Sequence, residues 1–275
     1  MNERMIDILV NEHSRSVKDG LTVGQLRAQE KPDADVLVVN AFPTSPETHL
    51  KQGDRLVLIR RGEIPDADEL EFLMMARHTP GVNARMKESI VGIAGLGGLG
   101  SAVTIALARM GIGRLILADF DLVEPSNLNR QHYAIAHIGM AKTDAMKQIL
   151  ASINPYIEVV AHKVVLDRNN ILEVFQTADV IVECFDRAEA KAMFIQAVAE
   201  FLPETYMIGA SGLAGYGDSN SIQTIALGEK IFMVGDLVTA AEPGRGLMSP
   251  RVGIAAHHQA NLVVSILMDP ENIKY

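Results

Sequence analysis

A single cysteine, Cys184, occurs among 275 residues. A lone thiol excludes an internal disulfide framework and any zinc site built on paired C-x-x-C motifs. Tryptophan is absent and aromatic residues make up only 5% of the chain, which removes the usual stacking platform for single-stranded nucleic acid. Positive charge is scarce too. The formal net charge is -9, whereas affinity for a phosphate backbone comes from an excess of Lys and Arg. Nucleic acid is therefore not an expected partner. No apolar run reaches the roughly 18–20 residues of a membrane-spanning helix. The start, Met1 to Met5, lacks the basic-then-apolar pattern of a signal peptide, so the expectation is a cytoplasmic protein with no membrane partner. Apolar material is plentiful at 48%, against 21% charged, enough for one large domain or two modest ones.

The first 64 residues carry short strand-like runs at Met5–Val10, Val36–Val39 and Arg55–Ile59, broken by Asp19-Gly20 and Gly53-Asp54. A short helix is predicted over Thr22–Glu30 with Thr22 as N-cap. This reads as a small α+β module over residues 1–64. Residues 65–88 read as a helical linker. Its helix, from Asp66 to Arg77, has acids in the first turn and arginine in the last, both favourable to the helix dipole. From residue 89 to 275 strands and helices alternate. Strands are predicted at Ile90–Ala94, Arg114–Ala118, Ile157–Ala161, Asp179–Glu183 and Tyr206–Gly209. Helices fall at Leu99–Met110, Lys142–Ile153, Ile171–Gln176 and Ala188–Phe201. Alternation with near-continuous apolar strands means an α/β Rossmann-like doubly wound parallel sheet with helices on both faces.

Gly95-Leu96-Gly97-Gly98-Leu99-Gly100-Ser101 follows a predicted strand and opens a helix. In that context the first glycine allows a tight turn, the second a close approach of backbone to phosphate, and the third close helix–strand packing. Asp119, ending the second strand of the domain, is spaced to hold a ribose hydroxyl. These features mean an adenine nucleotide and do not separate NAD from ATP; a tight turn without ligand is the plainer alternative. The polar segment Asp119-Phe120-Asp121 through Ser126-Asn127-Leu128-Asn129-Arg130-Gln131 lies at the ligand-binding rim of such sheets. Arg130 and Lys142 bring two cations to the phosphates, which suits a triphosphate whose pyrophosphate must leave. Asp186, just past the fourth strand of the domain, reaches the same rim and could hold Mg²⁺. Nucleotidyl transfer accounts for this set better than the hydride transfer of an NAD-dependent oxidoreductase.

At these residues the sequence resembles the ubiquitin-activating-enzyme-like superfamily, over nearly all of residues 70–268. Within it the chain is similar to a shorter, zinc-free branch of the ThiF sulfur-carrier adenylyltransferases. The stretches Gly209–Asp218 and Gly246–Ala260 support this. The resemblance implies that ATP, with Mg²⁺, adenylylates the C-terminal glycine carboxylate of a ThiS-like carrier ending in Gly-Gly, for thiamin thiazole synthesis; a different sulfur carrier or a tRNA-modification substrate is the alternative. It assigns nucleotide binding to Gly95, Gly97, Gly98, Gly100, Ser101, Asp119, Asp121, Asn127 and Gln131. Catalytic roles fall to Arg130, Lys142 and Asp186, with Asp186 also on the metal. An arginine from upstream, often supplied across a homodimer interface, is assigned to Arg77, with Arg85 in reserve. Residues 4–62 resemble ThiS itself, a β-grasp fold. Here, however, Gly62 runs on into Glu63-Ile64-Pro65, so the module offers no free carboxylate and reads as a degenerate carrier kept for docking, dimerisation or regulation.

Three departures from the family pattern stand out. Arg187 replaces the asparagine that usually follows Asp186. The four zinc cysteines are missing, so no zinc is expected. Cys184 sits at a strand end rather than in a mobile loop and reads as a buried packing residue, which places the end of the chemistry at the acyl-adenylate. His257 and His258 point about 100° apart on a helix and read as surface or packing residues, whereas His132 and His137 read as solvated loop residues, with a phosphate contact as the alternative.

Overall fold

Alternate residues of Met5–Val10 (β1) turn inward: Ile6, Ile8 and Val10 are buried between exposed or half-buried neighbours, the signature of a strand with one face on a core. The computed structural model describes residues 4–75 and 81–273, in two units, Met1–Pro80 and Gly81–Tyr275.

In the first unit β1 forms a hairpin with β2 (His13–Lys18) through Asn11 and Glu12, both at positive φ, as a two-residue hairpin turn demands. Helix α1 (Val23–Glu30) starts as predicted at Thr22, whose side chain accepts from the Gln25 N–H while the Gln25 side chain accepts from the Thr22 N–H. β3 (Val36–Val39), β4 (Phe42–Pro43) and β5 (Arg55–Ile59) complete a sheet of order β2-β1-β5-β3-β4, with β1 and β5 parallel. Val23 and Leu26 of α1 close its core against Ile6, Ile8, Leu37, Leu56 and Leu58. Helix α2 (Ala67–Met75) is capped by Asp66, which accepts from the Glu69 N–H. The chain after Gly62 folds back on this unit: Lys31 pairs with Glu63 at 2.5 Å and Glu69 at 3.7 Å, and the Asn11 amide donates to Glu69.

The second unit begins with α3 (Val82–Glu88), followed by β6 (Ile90–Ala94), α4 (Gly98–Arg109), β7 (Arg114–Ala118), α5 (Lys142–Ile153), β8 (Glu158–His162) and α6 (Ile171–Phe175). It continues with β9 (Val180–Glu183), α7 (Ala188–Phe201), β10 (Tyr206–Ala210), β11 (Gln223–Ala226), β12 (Ile231–Gly235) and α8 (Ser249–Met268). The sheet order is β11-β12-β10-β9-β6-β7-β8. It departs from the purely parallel expectation at one edge, where β11 runs antiparallel to β12. The chain leaves β6 toward β7 and later returns to place β9 on the other side, which puts the switch point at the C-terminal end of β6. One face packs α4, α5 and α8 around Val91, Ile93, Leu115 and Val182; the other packs α6 and α7 around Ile116, Ile181 and Phe175. Gly92 makes this second face possible, since a Cβ there would lie 2.6 Å from the Phe175 ring.

A buried ion pair ties the C-terminal segments of this unit together. Arg251 on α8 donates to the carbonyls of Gly217 and Asp218, the Ser221 hydroxyl and, at 2.7 Å, the Asp236 carboxylate. Burial alone would raise the Asp236 carboxyl, but the N–H groups of Thr239 and Val238, the Thr239 hydroxyl and Arg251 outweigh it and hold it at about 2, against an ordinary 3.8. A depressed carboxyl stabilises the fold above its ordinary value and loses that contribution as pH falls toward the folded value. Wild-type acid unfolding is therefore expected to steepen between about pH 4 and pH 2. Asp236→Asn should be less stable at neutral pH and lose part of that slope, measured by circular dichroism across a pH series.

Candidate functional site

The glycine turn at the end of β6 forms because each glycine meets a different steric demand. Gly95 sits at φ 93°, in the left-handed region. A Cβ at Gly100 would lie 1.9 Å from the Gly95 carbonyl oxygen, and one at Gly98 would lie 2.9 Å from Val252 Cγ1. Around Gly97 the space is open, with Gln131 Nε2 the nearest atom at 4.0 Å. Gly97 caps α4 without a side-chain hydrogen bond. The first-turn N–H groups of a twelve-residue helix therefore face outward at its positive end, a ready anion site.

Asp119, 8% exposed at the end of β7, braces this turn. Its two carboxylate oxygens accept from the N–H groups of Leu96 at 2.6 Å and Asp121 at 2.7 Å. Burial pushes the Asp119 carboxyl up, opposed by Lys142 and these two N–H groups. This bracing role is additional to the ribose contact expected from sequence, and only the strand-end position hinted at it.

The long loop after β7 is fastened to the same turn. The Tyr133 hydroxyl donates to the Leu96 carbonyl at 2.9 Å, and the His132 N–H donates to Ser101 Oγ at 3.2 Å. Burial raises the Tyr133 hydroxyl far above its ordinary range, so it stays a donor. Ser101 is fully buried and its hydroxyl holds the loop. Asn127, expected on the phosphate side, is buried and its side-chain oxygen accepts from the Glu124 N–H, shaping a short 3-10 turn at Pro125–Asn127. Arg130 runs along the start of α4, its Cγ 3.5 Å from where a Gly98 Cβ would stand, and its guanidinium bonds Asn129 and the Ser126 carbonyl. The Gln131 side-chain oxygen is buried with no hydrogen-bond partner. Such a group is costly unless something fills it.

Lys142, 7% exposed at the start of α5, pairs with the exposed Asp121 at 2.7 Å. The cation is thus held beside the loop by the Asp121 carboxylate. On the other side of the turn, the Cys184 carbonyl lies 3.2 Å from a Gly95 Cβ position, and Asp186, two residues on, is exposed at the rim. The glycine turn, Asp119, Asp121, Arg130, Gln131 and Lys142 therefore converge at the switch point, with the Asp186 loop against the turn. Among the described residues no group of three or more His, Cys, Asp or Glu could hold a metal ion. A magnesium ion carried on phosphates needs only one or two protein carboxylates, and Asp186 fits that requirement.

Arg77 lies outside the described residues. Arg85 donates from Nε to the Leu267 carbonyl at 2.8 Å and so caps α8. Cys184 is buried and its thiol is pushed well up by burial and then by Glu183, the opposite of an activated nucleophile. His257 bonds the Gly253 carbonyl of its own helix, and His258 meets Thr224. No helix is long and apolar enough to cross a membrane among the described residues.

Comparison with known proteins agrees with this architecture. The ThiF family profile matches residues 73–275, and a ThiS-like ubiquitin profile matches residues 6–62. Ubiquitin-like modifier-activating enzyme 5 of Arabidopsis thaliana is 33% identical over 185 residues, 61% of this chain and 42% of that protein. The adenylyltransferase and sulfurtransferase UBA4 of Candida glabrata is 34% identical over 147 residues, 52% of this chain and 34% of that protein. The chain thus spans less than half the length of these two curated relatives. The crystal structure of E. coli tRNA N6-threonylcarbamoyladenosine dehydratase, TcdA, in complex with ATP shares the fold with a TM-score of 0.67 at 21% identity, covering 75% of this chain and 97% of that one.

Proposed function

Because the chain belongs to the ThiF family, we propose that it is an ATP-dependent adenylyltransferase acting on the C-terminal glycine carboxylate of a small ubiquitin-like sulfur carrier. The observation that carries this reading is the meeting of an uncapped helix N-terminus with two cations, Arg130 and Lys142, at the switch point of the sheet. The pyrophosphate of a dinucleotide is held by backbone N–H groups at the helix N-terminus; a triphosphate that must release pyrophosphate uses cations as well.

In the reaction, a carboxylate oxygen of the carrier forms a bond to the α-phosphorus. The bond from that phosphorus to the bridging oxygen breaks, and pyrophosphate leaves with the electron pair and its charge. The N–H groups of α4 hold the phosphates, Asp119 orients the ribose, and Arg130 with Lys142 takes up charge on the departing oxygens. Positioning and charge neutralisation supply the rate, with no covalent enzyme intermediate. Asp186 would hold a magnesium ion, whose chemistry is neutralisation of the triphosphate. Relatives that pair adenylyl transfer with sulfur transfer support a sulfur carrier as the substrate, and thiamin thiazole synthesis is the specific pathway we favour. A cytoplasmic homodimer, with Arg77 offered to the partner's site, completes the reading.

ATP–pyrophosphate exchange, with and without a carrier ending in Gly-Gly, tests the function. Carrier-dependent exchange and an AMP adduct by intact mass are expected; nicotinamide binding without exchange would overturn it in favour of an oxidoreductase. The first unit serves docking, dimerisation or regulation rather than acting as substrate. Deleting residues 1–64 should leave carrier-dependent exchange at least partly intact, and its complete loss from a folded protein would refute that role.

A further inference from the structure

β9 reads Val180-Ile181-Val182-Glu183, and its last residue is fully buried. A carboxylate in such a place persists only when it is paired and hydrogen-bonded. One oxygen, Oε1, does both tasks: it accepts from the Phe185 N–H at 2.6 Å and from Lys191 Nζ at 2.8 Å. Lys191, the fourth residue of α7, has 19% of its side chain exposed. The two donors stand on either side of Asp186 in the sequence, so a single atom closes a short ring around that residue. Other contacts make the ring stiff. The Cys184 N–H donates to the Ala94 carbonyl, and the Gln259 amide donates to the Glu183 carbonyl. The Phe185 ring meets Phe194 edge-on at 5.3 Å. Asp186 and Arg187, at the head of this turn, are exposed, and the turn lies next to the glycine turn.

We propose that Glu183 and Lys191 are positioning residues that fix the turn presenting Asp186 to the nucleotide. The inference deepens the adenylyltransferase reading and depends on it. Misplacement of a reacting group by about 1 Å costs on the order of 100-fold in rate, so the tie governs kcat rather than ATP affinity, which belongs to the glycine turn, Asp119, Arg130 and Lys142.

The test combines kinetics with amide hydrogen exchange on the full chain. Lys191→Met is expected to lower kcat of ATP–pyrophosphate exchange by about 10- to 100-fold while the dissociation constant for ATP stays near wild type. The Phe185 amide should lose protection, and Lys191→Arg should restore both kcat and protection. Should Lys191→Met fail to fold, Glu183→Gln/Lys191→Met removes the buried charge, keeps an acceptor for the Phe185 N–H and should still lose kcat. Full kcat in a folded variant lacking the tie would overturn the proposal, as would equal losses of kcat and ATP binding. Absence of exchange in the wild-type chain would overturn the adenylyltransferase reading and this inference with it, whereas a change in Phe185 protection is read independently of that result.

Discussion

Asp186→Ala is expected to abolish carrier-dependent ATP–pyrophosphate exchange, with a loss of at least about 100- to 1,000-fold, the scale of removing one charge-stabilising group from an active site. Asp186 is exposed, so its removal leaves no cavity and no unpaired buried group; surface changes of this kind stay within about 0.5 kcal/mol of wild-type stability. The phosphate and ribose contacts proposed for Asp119, Arg130 and Lys142 are untouched. Equilibrium binding of ATP should therefore weaken much less than turnover. Measuring exchange and binding on the same preparation checks both halves, and a variant with near-wild-type exchange would remove Asp186 from the mechanism.

The largest structural effect is expected at Gly100. An alanine methyl there would stand 1.9 Å from the Gly95 carbonyl oxygen and 3.3 Å from Cys184 Cβ. The first obstacle is backbone, which no rotamer change relieves. Helix α4 must move away from β6, opening the core that Val103 and Leu107 form with Val91 and Ile93. Overpacking typically costs about 1–3 kcal/mol, and a rigid backbone obstacle puts Gly100→Ala at or above the top of that range. Gly97→Ala is the control, because its methyl would meet nothing closer than Gln131 Nε2 at 4.0 Å. Thermal melts should separate the pair: Gly100→Ala loses stability and nucleotide binding together, whereas Gly97→Ala keeps stability and loses only nucleotide affinity. Equal melting temperatures for the two would refute the steric account.

The strand–helix alternation around β6 was legible because its inner strands are nearly all apolar, whereas the order of the strands in the sheet was not read from the sequence. β2 was not, since His13–Lys18 is a polar edge strand with no buried residue, and pairing with β1 rather than its own pattern makes it extended. Helix α3 was not told apart from the rest of the 65–88 linker, because it is entered through Gly81 at φ 88° with no side-chain cap to mark its start. β11 and the antiparallel edge follow from tertiary pairing with β12. At the candidate site, residue types and spacing singled out the glycine turn, Asp119, Arg130, Lys142 and Asp186, which lie on segments around the end of β6. Side-chain partners did not follow from spacing. Ser101 and Asn127 face the loop scaffold, Arg85 caps α8, and Lys142 rests on Asp121, because each depends on chain segments that meet only in the fold. A charged residue ending the otherwise apolar Val180–Glu183 run was the visible trace of the Glu183–Lys191 pair.

The two hydrogen bonds from Leu96 and Asp121 to Asp119 have a consequence for how variants of this site combine. Mutational free energies add when sites are independent and fail to add when they share one network. Asp119→Ala removes the brace of the glycine turn together with the proposed ribose contact, so in a double-mutant cycle with Gly97→Ala the two losses of ATP affinity should overlap instead of summing. On the proposed reading, ribose and triphosphate recognition form one cooperative unit, hinged on a single carboxylate.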